Sequence, residues 1–286
     1  MDCVLSDSEF LDLRGLVYEA TGINLSDAKR QMLRSRLGKR LNALKINTFG
    51  AYYEFVKSQM PRGPEVTEFI NAVTTNKTDF FREPHHFEFV TQTVLPEIER
   101  RASFGKRSLD VWHAGCSTGE EPYTLAIALR EAFRNPGQWD VRQLATDIDS
   151  RVLDHAQRGV YEMTKLSPVT YDLRKRYFLK GKGTQEESVL VKPVLQEWLT
   201  WKKLNLLADS WPISRTTAFD IIFCRNVMIY FDKPTQQKLV QRFMDQLAPG
   251  GYLIIGHSES LFGISDDFVS LGQTIYRSNN AKRGAA

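Results

Sequence analysis

Residues 109–133 read LDVWHAGCSTGEEPYTLAIALREAF, and this stretch decides the fold. An apolar run reaches Gly115, a tight loop leads to Gly119, and a segment of helical periodicity follows. Strand, glycine loop and helix in that order open the ligand-binding half of an open parallel sheet, where the backbone must come close to what it binds. The fit to G-x-G-x-x-G is incomplete, because Ser117 stands where a second glycine belongs. A plain strand–helix turn that needs glycine reads the same way. The letters GCSTG also spell G-x-S-x-G, the nucleophile elbow of serine hydrolases.

Outward from this loop, strands and helices alternate. The apolar runs SLDVWHA (108–114), WDVRQLATDID (139–149), FDIIFCRN (219–226) and GYLIIGHSE (251–259) read as strands, the first three followed by helical patterns. Such alternation predicts a mostly parallel sheet covered on both faces, closed by a strand pair in DFVSLGQTIYRS (267–278). Residues 160–202 interrupt it with Val, Leu, Trp and Gly-Lys-Gly turn signals, which predicts a small antiparallel insertion.

The first 75 residues read as helices only. Ser6 and Glu9 form a capping box ahead of Phe10, Leu13 and Val17, and Gly22 ends that helix. A second helix starts near Ser26, with Leu33, Leu37, Leu41 and Leu44 as its apolar stripe. The expected organisation is a helical domain over 1–75, a seam over 76–90 that contributes to the ligand site, and an α/β domain over 91–286.

Over the 286 residues, 42% hydrophobic and 25% charged content describes an ordinary globular chain. No apolar run reaches the ~18 residues of a spanning helix, and the opening MDCVLSDSEF lacks a signal peptide's basic start and apolar core. Cys3, Cys116 and Cys224 are scattered and odd in number, which fits a reducing cytoplasm. His85, His86, His113 and His257 lack metal-ligand spacing, so no metal is expected.

Glu120 and Glu121 occupy the helix start, the seat where a dinucleotide places its pyrophosphate. Acidic residues there suit the helix dipole but repel phosphate. A phosphate-free cofactor with positive charge fits better, and S-adenosylmethionine carries both an ammonium and a sulfonium. Asp147, at the end of the next strand and 28 residues after Gly119, is placed for ribose hydroxyls. It is also placed to cap the helix near Ser150, although Asp149 suits that task better. The hydrolase alternative would combine Ser117 with Asp220 or Asp232 and His257. Against it, the elbow follows the first strand, no HGGG-like segment precedes it, and two carboxylates would oppose an oxyanion.

Taken together, TTNKTDFFREPHHF, AGCSTGEEPYTLAIAL, ATDIDSRVLDHAQRGVY, FDIIFCRNVMIYFD and GHSESL, in that order over residues 74–261, resemble the chemotaxis receptor methyltransferases, the CheR family. The resemblance implies a Rossmann-like class I methyltransferase sheet, an N-terminal all-helical domain and a small β-subdomain. It further implies S-adenosylmethionine-dependent methyl esterification of glutamates on chemoreceptor cytoplasmic helices, releasing S-adenosylhomocysteine. Carried onto this chain, Asn76, Thr78 and Arg82 line the cofactor pocket beside Gly115. Glu121 takes the methionine ammonium and Asp147 the ribose. Asn205 and Leu206 flank the adenine, Arg225 and Asn226 close the pocket, and Tyr230 stands near the methyl group. Arg82 and Tyr230 are then the candidate catalytic residues; Tyr230 alone would read as a core aromatic. A catalytically silent cofactor-binding module is the remaining alternative.

One feature is lopsided charge. Lys29, Arg30, Arg34, Arg36, Lys39, Arg40 and Lys45 face a single Asp27 within residues 26–45. Such a run is often a solvated face, but it also suits an acidic partner. Nucleic acid is the generic partner; the resemblance favours an acidic receptor helix instead, with Lys29, Arg36 and Arg40 along one flank as candidate substrate contacts. In some members of the family the β-subdomain also docks a receptor C-terminal peptide by strand addition.

Overall fold

The computed structural model describes residues 4–101, 107–213 and 218–279, so Cys3 lies outside the described residues. Four helices come first: α1 (Asp7–Thr21), α2 (Arg30–Leu44), α3 (Phe49–Ser58) and α4 (Pro64–Val73). Ser6 caps α1 in the predicted box: its hydroxyl accepts from the Glu9 amide while the Glu9 carboxylate accepts from the Ser6 amide. Leu33, Leu37 and Leu41 of α2 are fully buried against Phe10, Leu13, Phe49, Tyr52 and Phe69, so this domain has its own core.

After the seam, α5 (His85–Phe89) runs through a wide turn at Val90–Val94 into α6 (Leu95–Arg101). Then β1 (Arg107–Ala114), α7 (Glu120–Ala132), β2 (Trp139–Asp147) and α8 (Ser150–Arg158) alternate. The insertion carries β3 (Val160–Glu162), α9 (Tyr171–Tyr177), β4 (Phe178–Lys180), β5 (Ser188–Val191) and α10 (Pro193–Gln196). The chain finishes through β6 (Leu199–Lys203), β7 (Phe219–Cys224), α11 (Lys233–Gln246), β8 (Leu247–Ile255), β9 (Phe268–Ser270) and β10 (Ile275–Ser278).

The main sheet has seven strands in the order β6-β2-β1-β7-β8-β10-β9, in which β10 alone runs against the others and pairs antiparallel with both β8 and β9. Its two faces are covered by separate apolar clusters, which is why β1 and β7 read as continuous apolar runs. The chain leaves the centre at β1, proceeds outward through β2 and β6, and returns on the other side at β7. The order therefore reverses between β1 and β7, and a crevice opens beyond their carboxyl ends.

The insertion forms a separate antiparallel sheet, β3-β5-β4. Its predicted extent needs one correction. Residues 199–203 belong to the main sheet, where β6 pairs in parallel with β2 from Gln143↔Leu199 to Asp147↔Lys203. The alternation of LTWKK suits either sheet, and the unpaired edge of β2 decided between them.

The helical domain is bonded directly to the α/β domain. Asn24 N–H donates to the Tyr230 carbonyl at 2.8 Å, Tyr18 Oη donates to Asp232 at 2.9 Å, and Asn205 Nδ2 donates to the Ala20 carbonyl at 3.1 Å.

Candidate active site

The ends of β1, β2 and β7 enclose a cleft of about 330 Å³, walled on one side by Thr21 and Ile23 of the helical domain. That volume lies in the range of small-ligand sites. Gly115 opens the loop after β1 at φ +98°, and a Cβ there would stand 2.4 Å from Val227 Cγ2. Only glycine lets the backbone turn and stay that close to the β7 loop. The Gly115 and Cys116 amides both donate to the Thr146 carbonyl at 2.9 Å, pinning the loop to the end of β2.

Of the paired glutamates, only Glu121 faces the cleft. Glu120 is 1% exposed and turned inward, its carboxylate accepting from Thr118 Oγ1 at 2.6 Å. Glu121 Oε1 accepts from His113 Nδ1 at 2.8 Å, and Oε2 accepts from Arg225 Nη1 at 2.9 Å. His113 is fully buried, stacked on Phe223 and anchored through Nε2 to Gln143 Oε1 at 3.0 Å. Burial works to raise the Glu121 pKa, but His113 and Arg225 outweigh it and hold the carboxyl below its usual range. An ionised carboxylate offers about four lone-pair sites, of which the protein uses two. The remaining capacity faces the cleft and fits an ammonium.

Asp147 meets the loop from β2. Its carboxylate accepts from Ser117 N at 2.8 Å and from Asp149 N at 3.0 Å. Asp149 does the capping of α8, accepting from Arg151 N at 2.9 Å, so Asp147 is free of that task. Burial pushes the Asp147 carboxyl up to about 6, against the two amides that hold it down. A buried carboxylate acceptor of this kind on the cleft wall suits vicinal hydroxyls. The residues present thus fit S-adenosylmethionine: an anion for its ammonium, an acceptor for its ribose, and an apolar edge at Leu204 and Leu206.

Asn76, Thr78, Arg82, Arg225, Asn226 and Tyr230 line the same cleft, as do Asn205 and Leu206. Arg82 donates through Nη1 to the Lys77 carbonyl at 3.0 Å, which curls the seam. Burial raises the Tyr230 pKa; its hydrogen bond with Thr75 and the nearby guanidiniums of Arg36 and Arg82 work the other way. The hydroxyl therefore feels the positive charge of both Arg36 and Arg82.

The basic helix divides into two kinds of residue. Arg40 makes a paired bond to Glu65, at 3.0 Å through Nε and 2.6 Å through Nη2. Arg36 Nη1 donates to the carbonyls of Val73 and Thr74 at the end of α4, at 3.0 and 2.5 Å. Both guanidiniums are thus engaged inside the helical domain, whereas Lys29 is exposed.

Sequence reasoning passed over three residues here: His113, Glu83 and Glu259. Glu83 accepts from His257 Nδ1 at 2.8 Å and stands 3.3 Å from Arg225. Burial works to raise the Glu83 pKa, but the His257 hydrogen bond and the Arg225 charge outweigh it and hold the carboxyl below its usual range, while burial drives the adjoining His86 down to about 4. A histidine within an apolar strand, and acids inside REP and GHSE, were the available signals.

The hydrolase residues are dispersed. Ser117 Oγ donates to the Asn76 carbonyl at 3.0 Å, Asp220 accepts from Asp110 N at 2.9 Å, and Asp232 caps α11. His257 is paired with Glu83.

The profile of the CheR methyltransferase SAM-binding domain matches residues 76–277, and that of the CheR all-alpha domain matches residues 8–74. The chain belongs to the CheR methyltransferase family. Among curated relatives, a chemotaxis protein methyltransferase of Klebsiella aerogenes is 43% identical over 273 residues, 95% of this chain and 90% of that protein. The chemotaxis protein methyltransferase of Escherichia coli is 42% identical over 273 residues, covering 95% and 91%. Chemotaxis protein methyltransferase 2 of Pseudomonas aeruginosa is 42% identical over 271 residues, covering 94% and 92%. As a CheR methyltransferase, the chain takes S-adenosylmethionine as its cofactor.

Proposed function

We propose that this CheR protein forms methyl esters on glutamates of chemoreceptor cytoplasmic helices, the covalent step of sensory adaptation. The observation that carries the reading is the ionised Glu121 on the cleft wall at the start of α7, in the seat a phosphate-binding loop keeps for anions. Bound there, S-adenosylmethionine supplies an electrophilic methyl on a sulfonium. Glu121 and Asp147 hold the ligand's two polar ends.

A substrate glutamate is already ionised at neutral pH, so the protein need not supply a base. Its residues have to align and desolvate the carboxylate. Arg82 orients it with charge-assisted hydrogen bonds, and Tyr230 fixes the approach. Arg36, held against the end of α4, adds positive potential at the mouth. Lys29 and the exposed basic flank of α2 draw an acidic helix toward it. An edge of the β3-β5-β4 sheet takes a receptor C-terminal peptide as an added strand. The protein works in the cytoplasm, beside the cytoplasmic receptor helices it modifies; no helix among the described residues is long and apolar enough to cross a membrane.

The experiment is incubation of the purified protein with a receptor cytoplasmic fragment and methyl-labelled S-adenosylmethionine. Label that leaves as methanol on mild alkali is expected. Label absent from the receptor, or stable to alkali, overturns the reading.

A further inference from the structure

Glu259 is 8% exposed and lies in the loop that leaves β8. Its carboxylate gathers main-chain donors from two separate loops. Oε2 accepts from Gly256 N at 2.6 Å and from Asn226 N at 2.8 Å. Oε1 accepts from Ile229 N at 3.2 Å. Asn226 and Ile229 follow β7, so one side chain ties the exits of two adjacent parallel strands together.

The tie bears on the cleft from both sides. Asn226 sits at φ +59°, a left-handed conformation that needs outside support in a residue with a side chain. Ile229 is the middle residue of the single turn Met228–Tyr230 that presents Tyr230 to the cleft. On the other loop, His257 and Ser258 line the same wall. Gly256 allows the contact: a Cβ there would fall 2.4 Å from Asn226 Nδ2 and 2.8 Å from Asn226 N. Burying a carboxylate is costly unless its lone pairs are used, and here backbone donors from both loops use them. Glu259 is not itself among the residues that line the cleft; it meets the cleft only through the backbone of residues that do.

We propose that Glu259 is a positioning residue for methyl transfer, setting where Asn226 and Tyr230 stand at the cleft mouth. It acts through those two residues and makes no contact with the ligand. Burial pushes its carboxyl up against the amides that hold it down, and its charge is among those felt by the Tyr230 hydroxyl. The amide of glutamine keeps the shape but turns a donor toward an N–H group, so the tie loosens without leaving a hole.

The proposal rests on the methyl-transfer reading, and the test separates the two. Full-length wild type, Glu259→Gln, Tyr230→Phe and the double variant are compared for kcat with receptor fragment and for S-adenosylhomocysteine affinity by calorimetry. Glu259→Gln is expected to lower kcat on the order of 10-fold to 100-fold, as displacement of a positioned group does. Its affinity for S-adenosylhomocysteine should fall by less than kcat does, because Glu121 and Asp147 are not bonded to Glu259, although Asn226 is. In the double variant the losses should fail to multiply, since both act on one group. Unchanged kcat, or losses that multiply fully, overturns the proposal. If Glu259→Gln does not fold, Glu259→Asp, too short to reach both loops, carries the same decision. A wild type that transfers no methyl group overturns the underlying reading instead.

Discussion

His113 Nδ1 lies 2.8 Å from Glu121 Oε1, across the junction where β1 gives way to α7. The carboxylate cannot donate, so the imidazole N–H does, and the strand that precedes the glycine loop orients the acid that follows it. Removing that donor should weaken cofactor binding. His113→Phe, which fills the stack on Phe223 but cannot donate, is expected to weaken S-adenosylhomocysteine binding on the order of tenfold, about 1.4 kcal/mol. His113→Asn keeps an N–H near the same place and should recover part of it. Calorimetric titration of both variants checks this; equal affinities would remove His113 from the site.

Asp147 gives a pH dependence. Its carboxyl is raised to about 6, and hydroxyl donors on a ligand favour the ionised form. Binding therefore releases a proton below that value. Affinity for S-adenosylhomocysteine should be flat above pH about 7 and fall as pH drops through 6, by up to about tenfold per unit. Asp147→Asn should flatten the profile at low affinity. A wild-type profile without the fall between about pH 7 and 5 would contradict the role.

Arg82→Ala is expected to lose methyl transfer while keeping the fold, because its side chain is 30% exposed and its hydrogen bond, through Nη1, goes to a seam carbonyl. The loss should appear in kcat and in the KM for receptor, with circular dichroism unchanged. Near-normal turnover would sink the assignment.

The basic helix yields opposite outcomes for two of its residues. Arg40→Ala leaves Glu65, 6% exposed, without its paired donors and should destabilise the protein by about 3 kcal/mol. Tyr52, which donates to the same carboxylate at 2.8 Å, would not make up the loss. Lys29→Glu should leave the unfolding midpoint nearly unchanged and raise the KM for receptor. Denaturant unfolding and steady-state kinetics on the two variants decide between a structural and a recognition role at each position.

Local rules carried the sequence reading far. The Ser6–Glu9 box, the Asp149 cap and the glycine at 115 depend on groups a few residues apart, so spacing alone exposes them. The strand–helix alternation behind the α/β domain is local in the same sense, because periods of 2 and 3.6 are properties of one segment. The family motifs extended that to the cleft, whose lining includes Asn76, Glu121, Asp147, Arg225 and Tyr230.

Tertiary structure alone decided which partner each segment found. LTWKK fits a hairpin or a sheet edge equally, and the open side of β2 claimed it. Glu120 and Glu121 are chemically identical neighbours, yet a helix turns successive side chains by about 100°, so one packs inward and the other meets the cleft. Seven cations over residues 29–45 look alike in a sequence, but Arg40 is bound to an acid 25 residues away. Glu259 could be recognised only once β7 and β8 lay side by side, because its donors belong to two loops that adjoin only in the folded sheet.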